Sequence, residues 1–124
     1  MDANIKKLTT DLHAKWDDII IGTHGGWTAV PNLMLKKQGE LGLKAIELVV
    51  IINLVRFWWD PENLPFPDLN KMAVEIGTSE RTIYRTISSL EEKGFVKRIQ
   101  MEGKPTKYDL SGLLEKLREI KNAV

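Results

Sequence analysis

The sequence contains no cysteine, and it has only two histidines, His13 and His24. The absence of cysteine excludes disulfide bonds and thiolate zinc sites, and it is typical of a chain that works in a reducing cytoplasm. Two histidines without thiolates make a poor metal site, so we expect neither a metal nor another cofactor. These absences predict a cytoplasmic protein that works without disulfide bonds, metals or cofactors.

Long hydrophobic runs are also missing. The most apolar stretch, from Ala45 to Trp59, is interrupted by Glu47, Asn53 and Arg56. It is too short to cross a bilayer, so we expect a buried helix there and no membrane partner. The residues from Met1 to Lys7 are polar and no apolar stretch follows them, so we expect no signal peptide.

Catalytic motifs are equally scarce. The glycine-rich segment from Gly22 to Gly26 is not followed by the Lys-Ser/Thr pair that a phosphate-binding loop needs. No arrangement of serine, histidine and aspartate stands out as a nucleophilic centre. We therefore expect that the protein is not an enzyme.

The composition of the sequence is that of a globular protein, and its charge is distributed unevenly along the chain. It has 124 residues, of which 43% are hydrophobic and 28% charged, as expected for one domain with a single core. The net charge is only +1, but residues 39–78 carry three basic and six acidic side chains, whereas residues 79–107 carry seven basic and four acidic ones. Any nucleic-acid site is therefore expected in the second block.

Residues 1–26 are predicted to form a helix and a glycine-rich linker. Apolar residues recur every three or four positions, as on one face of a helix, at Ile5, Leu8, Leu12, Trp16 and Ile19. The glycine cluster at residues 22–26 should end this helix. Beyond it, residues 27–30 predict an extended segment, residues 31–37 a brief helix, and residues 44–59 a long helix that Asp60-Pro61 stops.

The segment from Asp68 to Lys93 has the pattern of a helix-turn-helix. Asp68 is a suitable N-cap for a helix over residues 69–76. Gly77 can adopt the left-handed conformation that ends this helix, and Ser79 can cap a second helix over residues 80–93. Two short helices joined by a tight, glycine-containing break form the helix-turn-helix unit.

A β-hairpin and a final helix follow. Alternating residues predict strands over 95–100 and 106–110, and a hairpin placed directly after a helix-turn-helix is a wing. Apolar residues at 110, 113, 117, 120 and 124 have heptad spacing, so they predict a last helix over 111–122. The predicted fold is mainly α with a small β-hairpin: a winged helix-turn-helix over residues 27–110 with extra N-terminal and C-terminal helices.

Two family resemblances accompany these patterns. Two segments resemble the winged helix-turn-helix superfamily of bacterial and phage DNA-binding proteins. They are LNKMAVEIGTSERTIYR at residues 69–85 and LEEKGFVKR at residues 90–98. Another segment is similar to the amino-terminal domains of plasmid and phage replication proteins and the DnaD-like group. It is WTAVPNLML at residues 27–35, with LGL at 41–43 after it. The first resemblance implies DNA binding, and the second implies a role in replication.

The winged helix-turn-helix predicts specific contacts with double-stranded DNA. An α-helix fits the major groove and the guanidinium fork matches the acceptors of guanine, so Arg81 and Arg85, four residues apart, are expected to read bases. Phosphates are expected to contact the basic residues of the hairpin, which are Lys97, Arg98, Lys104 and Lys107. Hydroxyl groups complete the candidate DNA-binding set with Ser79, Thr82, Tyr84, Ser88 and Ser89.

Purely structural explanations remain open for the same residues. Arg81 and Arg85 can simply solubilise an exposed face or pair with carboxylates, and Tyr84 can belong to the rim of the core. The hairpin lysines can protect the edges of a two-stranded sheet. Glu80 would bring a carboxylate near the phosphates, although a negative charge also suits the start of a helix.

The terminal helices leave oligomeric state and biological role open. Their apolar stripes can pack on the chain's own core or pair across a two-fold axis. We favour a homodimer joined by residues 111–124, because dimers are the usual way to read two half-sites. The main functional prediction is a sequence-specific transcription regulator. The alternatives are a plasmid or phage replication-related DNA-binding protein and a winged-helix module that binds protein.

Overall fold

A computed structural model describes residues 3–21 and 25–123. Within these ranges the predicted fold class is confirmed, because the chain is mainly helical and carries one two-stranded antiparallel hairpin. In chain order the elements are α1 (Ala3–Trp16), a 3₁₀ turn (Asp17–Ile20), α2 (Asn32–Lys36), α3 (Ala45–Arg56), α4 (Leu69–Ile76), α5 (Glu80–Glu92), β1 (Lys97–Ile99), β2 (Lys107–Asp109) and α6 (Ser111–Asn122). The predicted linker at Gly22–Gly26 lies partly outside the described residues.

The helices α4 and α5 pack against each other as the sequence predicts. The Asp68 carboxylate accepts hydrogen bonds from the amides of Asn70 and Lys71, at 2.9 and 3.3 Å, and so begins α4. Gly77 ends the helix with a φ of 84°, in the left-handed region that favours glycine. This turn sets the direction in which α5 leaves.

Helix α3 ends three residues before the predicted boundary at Trp59, so that prediction is wrong. Its last turn tightens, because the Trp58 amide bonds the carbonyl of Val55, only three residues back, at 2.9 Å. The Trp59 indole Nε1 then donates to the Arg56 carbonyl at 3.1 Å, where a continuing helix would use a backbone amide. The tryptophan pair thereby divides: Trp58 packs against the core and Trp59 is 81% exposed.

The helices from α2 to α6 and the hairpin share one hydrophobic core. Its buried hydrophobic residues are Met34, Leu41, Val50, Ile51, Leu54, Leu69, Met72, Ala73, Ile83, Ile87, Leu90, Phe95, Val96, Tyr108, Leu110 and Leu113. The spacing of Ile83, Ile87 and Leu90 places them on one side of α5, so the opposite side of the helix is left to polar residues.

The hairpin is shorter than predicted. Phe95 and Val96, which were expected in its first strand, are buried, and their amides bond the Leu90 carbonyl at the end of α5. Strand β1 then pairs with β2 in the register Lys97↔Asp109, Arg98↔Tyr108 and Ile99↔Lys107. The other edge of β2 is tied to the preceding loop, because the Tyr108 amide donates to the Pro65 carbonyl at 2.9 Å.

The two terminal helices behave differently. In α6, Leu113 is buried, and Leu114, Leu117 and Ile120 pack against the core. The described part of this stripe therefore packs on the core of its own chain, and a dimer contact through this helix stays a prediction; Val124 lies outside the described residues. In α1, every side chain that the structure describes is exposed except Leu12, which is half-buried.

The expected extended segment at residues 27–30 does not form a strand. Within the described ranges the sheet contains only β1 and β2. Trp27, Thr28 and Ala29 are exposed, and of these four residues only Val30 packs against the core.

In the part of the chain that the structure covers, no helix is long and apolar enough to span a bilayer.

Candidate nucleic-acid interface

The outer face of α5 carries the two arginines that were expected to read bases. Arg81, Tyr84, Arg85 and Ser88 are all exposed, and together with Glu92 they line a shallow surface depression. Among the described residues neither arginine forms a salt bridge, whereas Arg56, Lys93 and Arg98 each do. The structure therefore brings two exposed, unpaired guanidinium groups together on one helical surface.

The first turn of α5 is fixed by its own hydroxyl groups. The Ser79 Oγ atom accepts a hydrogen bond from the Thr82 amide at 3.1 Å and lies 2.9 Å from Thr82 Oγ1. Glu80 is exposed beside them, in the first turn, where a negative charge suits the helix N-terminus. Ser79 and Thr82 therefore position the helix, and Ser79 remains accessible at its end.

Ser89 lies at the edge of the same depression, but its hydroxyl is turned towards α3. Its hydroxyl donates to Glu47 Oε2 at 2.8 Å, and the same carboxylate accepts from the Lys44 amide and from Lys93 Nζ. Burial alone raises the pKa of Glu47, but the hydrogen bonds from Lys93, Lys44 and Ser89 outweigh it and hold the pKa below its ordinary value. Ser89 is thus part of a buried ionic network that joins α3 to α5.

The hairpin supplies three exposed cations and one that is already paired. Lys97, Lys104 and Lys107 are exposed. Arg98 is half-buried, and its Nε donates to Glu91 Oε1 at 2.9 Å while its second guanidinium nitrogen donates to Ser88 Oγ at 3.0 Å. Arg98 therefore ties β1 to α5 and is less available to phosphates than the lysines.

The Arg98–Glu91 pair shifts the pKa of both groups. The hydrogen bond from Arg98 lowers the pKa of Glu91, and the bond to Glu91 raises the pKa of Arg98. Both side chains are about one-third exposed. The pair therefore stays ionised near neutral pH and holds the hairpin against α5.

Lys44 is a residue that sequence analysis missed. It is exposed immediately before α3, where it lines a shallow groove together with Thr82 and Arg85 of α5. Its position in the acidic stretch 39–78 concealed it, because the division of charge along the chain does not show which segments meet in space. It adds a cation beside Arg85.

The described residues contain no cluster of three His, Cys, Asp or Glu side chains that could hold a metal ion. His24 lies outside these residues. The exposed arginines and lysines of this surface can attract anionic partners and donate hydrogen bonds to them.

A helix-turn-helix, a two-stranded hairpin and a closing helix define a small winged-helix-like fold. Residues 30–123 match the sequence model of the DnaD N-terminal domain, and the chain belongs to this family. The predicted similarity to the DnaD-like group is thus confirmed.

A solved structure gives the same relationship. The chain is similar to the crystal structure of the N-terminal domain of DnaD protein from Geobacillus kaustophilus HTA426, with 26% sequence identity and a TM-score of 0.61. The match covers 99% of this chain and 93% of that one. No curated protein matches the chain. The family favours the replication-related alternative over the transcription regulator that we predicted first.

Proposed function

We propose that this protein is a replication-related factor of the cytoplasm that binds double-stranded DNA with the outer face of α5. The observation that carries the proposal is the pair of exposed guanidinium groups, Arg81 and Arg85, which have no carboxylate partner among the described residues. Family membership supports the replication context. Transcription regulation has no such support.

The proposed binding mode places α5 in the major groove. Arg81 and Arg85 contact base edges, because a guanidinium fork matches the paired acceptors of guanine. Ser79, Tyr84 and Ser88 donate from the same face to bases or phosphates, while Thr82 holds the first turn. Base contacts of this kind supply sequence preference and only part of the affinity.

The rest of the affinity comes from the phosphates. Lys97, Lys104 and Lys107 lie on the hairpin, and Lys44 lies on the other side of α5. Cations on both sides of a recognition helix can follow the DNA backbone along the two edges of the groove. Arg98 takes part through Glu91 and Ser88, by fixing the hairpin.

The test is the salt dependence of binding to a labelled duplex of mixed sequence. Each phosphate that a cation neutralises lowers log K by about 0.9 for every tenfold rise in salt concentration. Contacts from the three hairpin lysines and Lys44 predict a slope of about −3 to −4. A slope near zero, or no binding to any duplex, contradicts the proposal and favours a domain that binds only protein.

We also propose that the protein acts as a homodimer, as expected from the sequence. The described apolar residues of α6 pack on the core, so we place the contact on another surface.

A further inference from the structure

A pocket of about 360 Å³ lies beside the outer face of α5, between the start of α4 and the hairpin. Its walls are flat rings, because Phe66, Pro67 and Pro105 line it together with Tyr84. Tyr84 also lines the depression on the outer face of α5, so the two surfaces are continuous. Pockets that hold small organic groups begin at about 300 Å³, so this one has room for a planar ring system.

Anchored backbone holds the two sides of this pocket in place. The Tyr108 amide donates to the Pro65 carbonyl at 2.9 Å, which fixes the loop before α4 against strand β2. The next turn is fixed by Asp68, which caps α4. Phe66 and Tyr84 nevertheless keep exposed fractions of 55% and 45%. Exposed aromatic rings on a fixed support are the kind of surface on which unpaired bases stack.

The floor of the pocket carries a hydroxyl group without a partner. Tyr108 lines the pocket and is 3% exposed, and its hydroxyl makes no hydrogen bond among the described residues. The oxygen is still open to the pocket, because in the described ranges only the Trp58 indole nitrogen is fully enclosed without a partner. Burial raises the pKa of Tyr108, so the hydroxyl stays protonated at neutral pH and can donate or accept. Thr106 adds a second hydroxyl to the lining.

A nucleobase has the chemistry that matches this pocket. Its faces stack on aromatic rings, and its edge offers donors and acceptors to hydroxyl groups. Asp68 also lines the pocket, and a carboxylate accepts from the exocyclic amino group of cytosine. Lys104 and Lys107 are exposed on either side of Pro105 and Thr106 in the sequence, which supplies positive charge for the phosphates of the same nucleotide.

We propose that this pocket, formed by Phe66, Tyr84 and Tyr108, binds one unpaired base of DNA while α5 holds the adjoining duplex. The inference rests on the proposed DNA binding and deepens it, because it assigns the protein a preference for duplexes that contain an unpaired base. A base inside a perfect duplex must first be unpaired and unstacked, whereas a base that is already unpaired avoids that cost.

The experiment measures the affinity of the full chain, at one salt concentration, for three labelled duplexes that differ at a single position. One is perfectly paired, one carries an extra 2-aminopurine nucleotide, and one carries an extra abasic nucleotide at the same place. Wild type should bind the 2-aminopurine duplex about tenfold more tightly than either of the others, as expected when one base stacks on aromatic rings. The abasic duplex is the matched control, because it has the same bulge without a base.

Variants of the protein separate stacking from hydrogen bonding. Phe66→Ala removes an exposed ring, and it should abolish the preference and the quenching of 2-aminopurine fluorescence while leaving affinity for the perfect duplex unchanged. Tyr108→Phe removes only the hydroxyl, and it should weaken binding to the 2-aminopurine duplex by about threefold while the quenching remains. Trp59→Ala is the control, since Trp59 is an exposed aromatic residue of the same loop that does not line this pocket. Circular dichroism checks that all the variants are folded.

The outcomes distinguish the pocket from the proposed duplex binding. Equal affinity for the three duplexes, or a preference that the abasic duplex shares, overturns the pocket and leaves binding to paired DNA intact. A preference that both Phe66→Ala and Tyr108→Phe retain also overturns the pocket, because the base then binds elsewhere. Binding to the 2-aminopurine duplex alone, lost in Phe66→Ala, supports the pocket but contradicts the proposed duplex binding. No binding to any of the three removes both.

Discussion

The Nζ atom of Lys93, just after α5, lies 2.5 Å from Oε1 of Glu47 in the first turn of α3. The Glu47 side chain is 2% exposed and that of Lys93 is 28% exposed. The same carboxylate accepts from the Lys44 amide and the Ser89 hydroxyl, so it caps α3 and fixes α5 at once. The orientation of the proposed recognition helix therefore depends on one buried anion.

Replacement of Lys93 tests this connection. Lys93→Ala leaves Glu47 buried without its cation, and breaking a fully buried pair costs about 3–5 kcal/mol. Because Lys93 is partly exposed, we expect a loss of about 2 kcal/mol in the free energy of unfolding. Urea denaturation at neutral pH measures it. The control is Lys7→Ala, which removes a fully exposed i,i+4 pair and should cost less than about 0.5 kcal/mol. Equal losses would show that the Glu47 pair does not link the helices.

The Glu47 network also predicts the acid limb of the stability curve. Its pKa is lowered in the folded chain from the ordinary value of 4.5. A depressed carboxyl pKa contributes stability that is fully present above the unfolded value and is lost as the pH falls through the folded one. Wild type should therefore lose stability below pH 4.5 more steeply than Glu47→Gln, which has no proton to take up. Urea midpoints measured from neutral pH downwards check this, and parallel curves would contradict it.

Gly112, in the first turn of α6, packs so closely against the backbone that we expect any larger residue there to destabilise the fold. A Cβ atom placed there would lie 1.9 Å from the Gly94 carbonyl oxygen, on backbone that cannot move aside like a flexible side chain. Gly112→Ala should therefore destabilise the fold by about 1–3 kcal/mol despite the better helix propensity of alanine. Gly39→Ala is the control, since a Cβ at Gly39 meets nothing within 4 Å. Thermal melting compares the two, and a neutral Gly112→Ala would mean that α6 does not sit this close to Gly94.

Lys104, near the hairpin turn, is expected to contact phosphate without reading sequence. Lys104→Ala should weaken binding to all duplexes alike and make the salt slope less steep by about 1. Lys121→Ala, which removes an exposed lysine from α6, should leave the slope unchanged. A slope that Lys104→Ala does not alter would remove the hairpin tip from the proposed interface.

Local signals made much of the fold predictable from the sequence. The bounds of α4 follow from the Asp68 cap and the left-handed Gly77, and the extent of α6 follows from its heptad-spaced apolar residues. The stripe of Ile83, Ile87 and Leu90 correctly predicted which side of α5 is buried, so the exposure of Arg81 and Arg85 was predictable as well.

Features that depend on distant contacts were not predictable. Glu47 looked like an interruption of an apolar run, although it is buried because Lys93 and Ser89, more than 40 residues away, reach it. Arg98 looked like a free cation until the structure showed it with Glu91. A period in the sequence shows which residues share a face, but not which partner covers that face.

The most direct test of the proposed recognition surface compares two arginines on exposed helical positions. Random-duplex selection first identifies the preferred site, and Arg85→Ala and Arg118→Ala are then titrated with that site and with a scrambled duplex. The account predicts that Arg85→Ala loses about 1–3 kcal/mol on the preferred site and discriminates less between the duplexes, whereas Arg118→Ala matches wild type. Unchanged specific binding by a folded Arg85→Ala protein would contradict the placement of α5 in the major groove.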